Sequence, residues 1–168
     1  VVTQALKDAE LSPEFLELEL TESTVMHDPI RSISILNELH DLGVGIAVDD
    51  FGTGYSSLAY LTNLPIDVIK IDRSFVRDIF KDPNDAMIVK TIVHLAHNLN
   101  MNVVAEGVEE KNQLSFLMQH ECDKVQGYLF CKPVNAEEFI SYSQKPELSL
   151  PKFGASPYLC QMRKSGLQ

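Results

Sequence analysis

The chain has 168 residues, 45% of them hydrophobic and 23% charged, which is the composition of one globular domain with its own core. Its 24 acidic and 14 basic residues give a formal net charge of -10, which argues against a surface that follows a nucleic-acid polymer. The three cysteines form no CxxC pair and no apolar run approaches the roughly 20 residues of a membrane span, so we expect a cytoplasmic, reducing setting and no membrane segment.

Apolar periodicity predicts strands alternating with helices along the chain. An N-terminal helix ends at Ser12-Pro13, and FLELEL at 15–20 then alternates like a strand. Further strands are predicted at 44–48, 67–71, 102–105 and 123–128, and further helices from Pro29 through Leu39 and at 56–61, 85–99, 111–119 and 136–142. This order indicates βα units and a parallel sheet, either doubly wound or closed into a barrel. We assign residues 1–143 to the fold and expect 144–168, which contain three of the eight prolines, to form a poorly ordered tail.

Each predicted strand carries a polar residue near its C-terminal end. These residues are Glu19, the pair Asp49-Asp50, Lys70, Glu106 and Gln126. A single one is ordinary, because strands often leave a core through a charge, but here all five strands have one. In a (β/α)8 barrel this rim is where active sites are assembled, from residues of several strands.

The chemistry of these residues indicates a metal site. Converging carboxylates repel one another unless cations lie between them, and oxygen ligands without histidine favour Mg²⁺ or Mn²⁺ over zinc. Tandem aspartates suit two metals, because the first can bridge both ions while the second binds one. Two metals stabilise the attacking and leaving oxygens of an in-line displacement at phosphorus, so phosphodiester hydrolysis is the leading prediction, with the lysine orienting water or balancing phosphate charge.

Three signals are weaker. The segment DFGTGYSS at 50–57 is either an ordinary strand-to-helix turn or a loop that presents ligands and closes over substrate. Asp72 either supports Lys70 by its charge or begins the next loop. His94 and His97 lie three apart on a predicted helix but at no strand end, so we do not predict them as ligands.

Five segments resemble the successive signatures of EAL domains, in that family's order. They are ELTE at 19–22, DDFGTGYSS at 49–57, IKID at 69–72, AEGVE at 105–109 and QGYLF at 126–130. The resemblance covers residues 1 to about 143. It implies a TIM-like (β/α)8 barrel that hydrolyses the bacterial second messenger cyclic di-GMP to the linear dinucleotide.

The resemblance also implies a role for each matching residue. Glu19, Asp49 and Asp50 would be ligands of Mg²⁺ or Mn²⁺, and Glu106 would serve the second metal directly or through water. Lys70 would hold the nucleophilic water, and Gln126 would order water or phosphate. Glu22 would tether the substrate loop formed by Phe51, Gly52, Thr53 and Gly54.

The chain departs from the family pattern at its start. The glutamate of the E-A-L signature and an asparagine on the next strand are expected before residue 1, and we count about five of the eight strands of a barrel that typically has about 250 residues. Our hypothesis is that this chain does not hydrolyse cyclic di-GMP efficiently alone. EAL barrels often pair near the DFGTGYSS loop, so a homodimer is one possible assembly and the oligomeric state stays open; a sensory or diguanylate cyclase domain could precede residue 1.

Two alternatives stay open. One is a non-catalytic EAL-type module that binds cyclic di-GMP or a protein partner; retention of the rim residues argues against it. The other is an enolase-like barrel, which also places acidic ligands on consecutive strands and a lysine at the rim. The paired aspartates and the DFGTGYSS loop weigh against that second reading.

Overall fold

The computed structural model of the chain describes residues 1–27, 29–54 and 61–143. The predicted tail at 144–168 and all but the last residue of the predicted helix at 56–61 lie outside them. In the described part, five strands form one sheet: β1 (Glu17–Thr21), β2 (Gly45–Phe51), β3 (Val68–Ile71), β4 (Asn102–Ala105) and β5 (Lys124–Val125). All neighbouring strands are parallel and lie in sequential order, β1-β2-β3-β4-β5. A doubly wound sheet reverses its strand order, so this order is that of an incomplete (β/α)8 barrel, as predicted.

Helices connect the strands, which is what parallel pairing requires. In the described residues they are α1 (Val2–Asp8), a 3₁₀-helix (Pro13–Phe15), α2 (Glu22–His27), α3 (Pro29–Asp41), α4 (Arg73–Arg77), α5 (Pro83–Asn98), α6 (Lys111–Gln119) and α7 (Ala136–Ser143). The sequence did not predict α2 and α4. Both are under two turns long and follow a strand directly, so neither contains enough residues to show helical periodicity.

Four of the five strands differ in their bounds from the prediction, and β3 does so only by beginning at Val68 instead of residue 67. β1 begins at Glu17 because Pro13–Phe15 forms a 3₁₀-helix. β2 continues past Val48 to Phe51 because it pairs with β1 on one side and β3 on the other. The fifth strand, predicted at 123–128, is only Lys124–Val125.

The two faces of the sheet differ in composition. One face packs against helices and forms the hydrophobic core through residues that alternate along the strands: Ile46, Val48, Ile69, Ile71, Val103, Ala105 and Val125. The intervening positions, which point to the opposite face, include Glu19, Asp49 and Lys70. The period of two therefore separates the core residues from the predicted site residues.

One further property concerns membranes. Among the residues that the structure describes, no helix is both long enough and apolar enough to cross a bilayer.

Candidate active site

Lys70 lies at the centre of the predicted site. It is on β3 and only 5% exposed, and its Nζ contacts three carboxylates. The distances are 2.8 Å to Glu19 Oε2, 3.2 Å to Asp49 Oδ1 and 2.7 Å to Glu106 Oε1. These partners come from β1, from β2 and from the residue after β4. The parallel order of the strands thus brings together side chains that are 87 residues apart in the chain, from Glu19 to Glu106.

The electrostatics of this cluster favour a charged Lys70. Burial alone would lower the pKa of the ammonium, but hydrogen bonds to Glu106 and Glu19 and the charge of Asp49 raise it above its ordinary value. One ammonium among three ionised carboxylates leaves an excess of negative charge. The cluster is therefore suited to bind further positive charge.

The tandem aspartates have different surroundings. Asp49 joins the Lys70 cluster and accepts a hydrogen bond of 2.9 Å from the amide of Asp50. Asp50 has a left-handed backbone with φ of 54°, next to a register shift between Val48 and Phe51. Burial and the negative charges of Asp49 and Asp72 raise the pKa of the Asp50 carboxyl. The structure thus places Asp49 against Lys70 and Asp50 against Asp72.

Asp72 has a structural role that the sequence left open. It is the N-cap of α4, where its carboxylate accepts hydrogen bonds from the amide of Ser74 at 2.9 Å and from the Ser74 hydroxyl. Burial would raise the pKa of Asp72, but the bonds from Ser74 outweigh it and lower that pKa. Asp72 therefore begins the helix after β3 and does not contact Lys70 among the ion pairs of the described residues.

The start of the predicted substrate loop contacts Glu22. That side chain is 3% exposed, and its Oε2 accepts a hydrogen bond of 3.0 Å from the Gly52 amide. Thr53 Oγ1 donates to the carbonyl of Asp50 at 2.8 Å. A Cβ on Gly54 would lie 2.7 Å from Glu22 Oε1, so the chain passes close to this carboxylate. This is the contact that the resemblance implies for Glu22; its effect on loop closure stays a prediction.

Gln126 follows β5 and lines the same cavity as Lys70 and Glu19. Its backbone amide donates to the carbonyl of Ala105 at 2.9 Å, and its backbone carbonyl accepts from the amide of Val108 at 3.0 Å. The cavity has a volume of about 360 Å³. Glu17 and Lys124, which the sequence did not predict as site residues, also line it. The alternation of FLELEL would have placed Glu17 on the same face as Glu19, whereas the two-residue β5 gave Lys124 no such signal.

The donor chemistry fits a divalent cation, although the ligands are not preassembled around one. Within the described ranges, no group of three or more His, Cys, Asp or Glu side chains is placed to hold a metal ion. The ammonium of Lys70 lies between the carboxylates instead. All the site carboxylates offer oxygen ligands, and the cluster has excess negative charge, which is the combination that Mg²⁺ and Mn²⁺ prefer.

Comparison with known families gives a match over most of the chain. The sequence pattern of the EAL domain matches residues 2–133. The cyclic di-GMP phosphodiesterase NbdA of Pseudomonas aeruginosa is 49% identical over 142 residues, which are 83% of this chain and 18% of NbdA. The bifunctional diguanylate cyclase/cyclic di-GMP phosphodiesterase MucR of the same species is 48% identical over 140 residues, which are 83% of this chain and 20% of MucR. The chain thus spans about a fifth of the length of these relatives.

Solved structures show the same architecture. A PaMucR phosphodiesterase in complex with c-di-GMP superposes with a TM-score of 0.81 at 48% identity, covering 82% of this chain and 56% of the other. A manganese/cy-diGMP complex of BlrP1 from Klebsiella pneumoniae gives a TM-score of 0.73 at 36% identity, covering 79% of this chain and 34% of the other.

Proposed function

Because this chain belongs to the EAL domain family, we propose that its protein hydrolyses cyclic di-GMP to the linear dinucleotide with two divalent ions, Mg²⁺ or Mn²⁺. Relatives named as cyclic di-GMP phosphodiesterases support the substrate. A neighbouring structure that contains manganese and cyclic di-GMP supports the metal.

The observation that carries the proposal is the group of three carboxylates around Lys70. Glu19, Asp49 and Glu106 would supply oxygen ligands, with Asp50 as a further ligand beside Asp49. When bound, divalent ions at such a site supply positive charge that stabilises the attacking and leaving oxygens at phosphorus. The excess negative charge of the cluster attracts cations and disfavours a bare phosphodiester, so cation binding and substrate binding would be coupled.

Lys70 would orient the attacking water. Its backbone lies in β3, which pairs with a strand on each side, and its ammonium contacts carboxylates from three segments of the chain. As a hydrogen-bond donor the ammonium would hold a water by its oxygen, and a carboxylate beside it, such as Glu106, would accept that water's proton. Gln126, on the same cavity, would order water or a phosphate oxygen.

A second candidate function is a module that binds cyclic di-GMP without cleaving it. The observation that favours it is that no group of three metal ligands is preassembled in the described residues. In this reading the ammonium of Lys70 stays paired to its carboxylates, and the ligand binds without turnover.

The experiment is incubation of the purified chain with cyclic di-GMP and Mg²⁺ or Mn²⁺, with linear product measured by chromatography. Glu19→Ala and Asp49→Ala remove two partners of Lys70, and Glu38→Ala is a matched control because it removes an exposed carboxylate from α3. Product that both site variants abolish and Glu38→Ala leaves unchanged supports the proposal and contradicts our hypothesis that this chain is inactive alone.

If no product forms, calorimetry with cyclic di-GMP separates the two candidates. Binding without turnover supports the module, whereas no binding contradicts both functions for the chain in isolation. We also propose, from the name of MucR, that a diguanylate cyclase or sensory domain belongs to the same protein, with cyclic di-GMP as the shared small molecule. The homodimer stays a prediction, since the structure contains a single chain and describes only residues 50–54 of the DFGTGYSS segment.

A further inference from the structure

The buried side chain of Gln113 joins two segments that lead away from the candidate active site. Gln113 is in the first turn of α6 and is 4% exposed. Its Oε1 accepts hydrogen bonds of 2.9 Å from the amides of both Glu109 and Glu110. Its Nε2 donates to the carbonyl of Val76 in α4 at 3.2 Å. One side-chain amide therefore links residues 106–110 to α4.

These two segments lead directly to Glu106 and Lys70, which form the shortest ion pair of the site. Residues 106–110 begin with Glu106, and α4 begins two residues after Ile71, the neighbour of Lys70 on β3. Glu106 Oε1 and Lys70 Nζ are 2.7 Å apart. Gln113 thus closes a ring of contacts that runs from Lys70 through α4 and residues 106–110 to Glu106.

The backbone of residues 106–110 is also held by contacts along the rest of the segment. The amide of Glu106 donates to the carbonyl of Ile71 at 3.2 Å. Gly107 has a left-handed φ of 69°, and a Cβ there would lie 2.6 Å from Arg73 Cβ, so the segment passes directly against the start of α4. The far end of the segment, at Glu109 and Glu110, is held by the Gln113 side chain.

The chemistry requires an amide at this position. The Val76 carbonyl needs a donor and the two backbone amides need an acceptor, and a glutamine supplies both from one planar group. A glutamate keeps the acceptor and loses the NH₂ donor. A methionine of similar length supplies neither, so the buried carbonyl of Val76 and the amides of Glu109 and Glu110 would lose this partner.

We propose that Gln113 is a positioning residue, which fixes the Glu106 carboxylate at its contact with Lys70 by joining residues 106–110 to α4. The inference rests on the proposed function in treating the Lys70–Glu106 pair as part of the active site. Its contacts, however, can be tested without substrate or metal.

The test measures how fast an amine-directed reagent modifies Lys70, by mass spectrometry of the folded chain, relative to the exposed Lys7. Gln113→Met and Gln113→Glu are compared with Asn112→Ala, each with Glu106 intact and in a Glu106→Gln background. Asn112 is the matched control: it is exposed, and its Oδ1 accepts from the Gln113 amide at 2.8 Å, so its loss weakens the same helix start without touching residues 106–110 or α4.

With Glu106 intact, Gln113→Met should raise Lys70 modification about fivefold, the effect of losing roughly one buried hydrogen bond's worth of restraint. Gln113→Glu should raise it less, because the acceptor for Glu109 and Glu110 remains. Asn112→Ala should change it little. In the Glu106→Gln background the effect of both Gln113 variants should disappear, because the restrained carboxylate is gone.

Two outcomes overturn the proposal: a Gln113→Met rate no higher than that of Asn112→Ala, or an equal rise in both backgrounds, which would mean general loosening of the fold. If Gln113→Met does not fold, Gln113→Glu tests the proposal alone, by its Lys70 modification rate with Glu106 intact and in the Glu106→Gln background. Failure of the chain both to cleave and to bind cyclic di-GMP would contradict the proposed function for the chain in isolation and leave these modification rates unaffected, so the two failures are distinguishable.

Discussion

The buried carboxylate of Glu22 accepts a hydrogen bond of 3.0 Å from the amide of Gly52, 30 residues further along the chain. Glu22 begins α2 directly after β1, and Gly52 follows the last residue of β2. The bond therefore connects the ends of two neighbouring strands that carry Glu19 and Asp49. If the segment at 51–54 moved away from Glu22, that carboxylate would stay buried and lose its hydrogen-bond donor.

Replacement of Glu22 by Ala should loosen this segment. Loss of the acceptor leaves the Gly52 amide unpaired, so we expect the free energy of unfolding to fall by about 1–2 kcal/mol and amide exchange at 51–54 to accelerate. Hydrogen exchange followed by mass spectrometry measures both. Glu38→Ala, at an exposed position of α3, is the control and should change neither. Unchanged exchange at 51–54 in Glu22→Ala would show that other contacts hold the segment.

Replacement of Lys70 by Met should make the free energy of unfolding increase as pH falls from 7 to 5. Without the ammonium, the negative charges of Glu19, Asp49 and Glu106 repel one another in the folded state, and proton uptake relieves that repulsion. Stability then increases as pH falls. We expect a loss of about 1–2 kcal/mol at pH 7 that shrinks toward pH 5, measured by urea unfolding without divalent ions.

Mn²⁺ supplies a second readout for the same variant. Added at pH 7, it should restore part of the stability of Lys70→Met, because the ion replaces the missing positive charge. Lys111→Met, at an exposed position of α6, should show neither the pH dependence nor the recovery. A Lys70→Met chain as stable at pH 7 as at pH 5 would mean that the carboxylates separate once the lysine is gone.

The sequence predicted the strands and the rim residues well because both depend on simple periodicities. Buried parallel strands are largely apolar, so a polar residue near the C-terminal end of a strand stands out, which is the feature that Glu19, Asp49, Lys70 and Glu106 share. The structure brings these four together through Lys70. The parallel sheet in sequential order was also predicted, once the rim pattern favoured a barrel.

The remaining features depend on contacts that periodicity does not encode. Asp49 and Asp50 are adjacent in sequence, but the left-handed backbone at Asp50 turns its side chain toward Asp72, a contact that the sequence did not predict. The early end of β5 results from the close approach of Gly127 to Val108, and Gln113 reads as an ordinary residue of a helix start. Each of these depends on a partner far away in the chain.

Gly127 should not tolerate a side chain. A Cβ at this position would lie 2.1 Å from the carbonyl oxygen of Val108, which is backbone and cannot turn aside. Gly127→Ala should therefore cost about 2–3 kcal/mol of stability and separate Gln126 from its bonds to Ala105 and Val108. Thermal unfolding measures the loss. Gly45→Ala is the control, since its Cβ would meet nothing closer than 3.7 Å, and equal losses in the two variants would contradict the steric explanation.

Cys122 should resist thiol reagents while the chain is folded. Burial raises the pKa of its thiol to about 12, and its Sγ lies 3.2 Å from the carbonyl oxygen of Lys124. At pH 8 we expect the partly exposed Cys131 to be labelled and Cys122 to be protected until urea unfolds the chain, as read by mass spectrometry of the separate peptides. Rapid labelling of folded Cys122 would contradict its burial.

The same thiol predicts a loss of stability at alkaline pH. The stability that the protonated thiol contributes is fully present below about pH 8.5, which is the pKa of a thiol in the unfolded chain. It is lost as pH rises toward the higher pKa of the thiol in the folded chain, because the unfolded chain releases the thiol proton first. The loss approaches about 1.4 kcal/mol per pH unit within that window. Comparison with Cys122→Ala isolates this contribution from the other groups that titrate there, and identical slopes in the two chains would reject it.

Asp123 and Asp67 occupy equivalent positions but should differ in how much each contributes to the free energy of unfolding. Each precedes a strand and accepts from a backbone amide of the strand before it: Val103 at 2.9 Å for Asp123, and Ile46 at 2.8 Å for Asp67. Each also faces a histidine of a preceding helix, His97 at 2.8 Å and His40 at 3.5 Å. Their exposure differs, since the side chain of Asp123 is 14% exposed and that of Asp67 is 42% exposed.

Water can replace the acceptor at the exposed site but not at the buried one. Asp123→Ala should therefore lower the free energy of unfolding by about 2–3 kcal/mol, and Asp67→Ala by about 1 kcal/mol or less. Double-mutant cycles with His97→Ala and His40→Ala should give a coupling of about 1 kcal/mol for the first pair and nearly none for the second. Equal losses from the two aspartates would mean that burial of the acceptor does not set the cost, and that strand pairing alone holds β2 and β4.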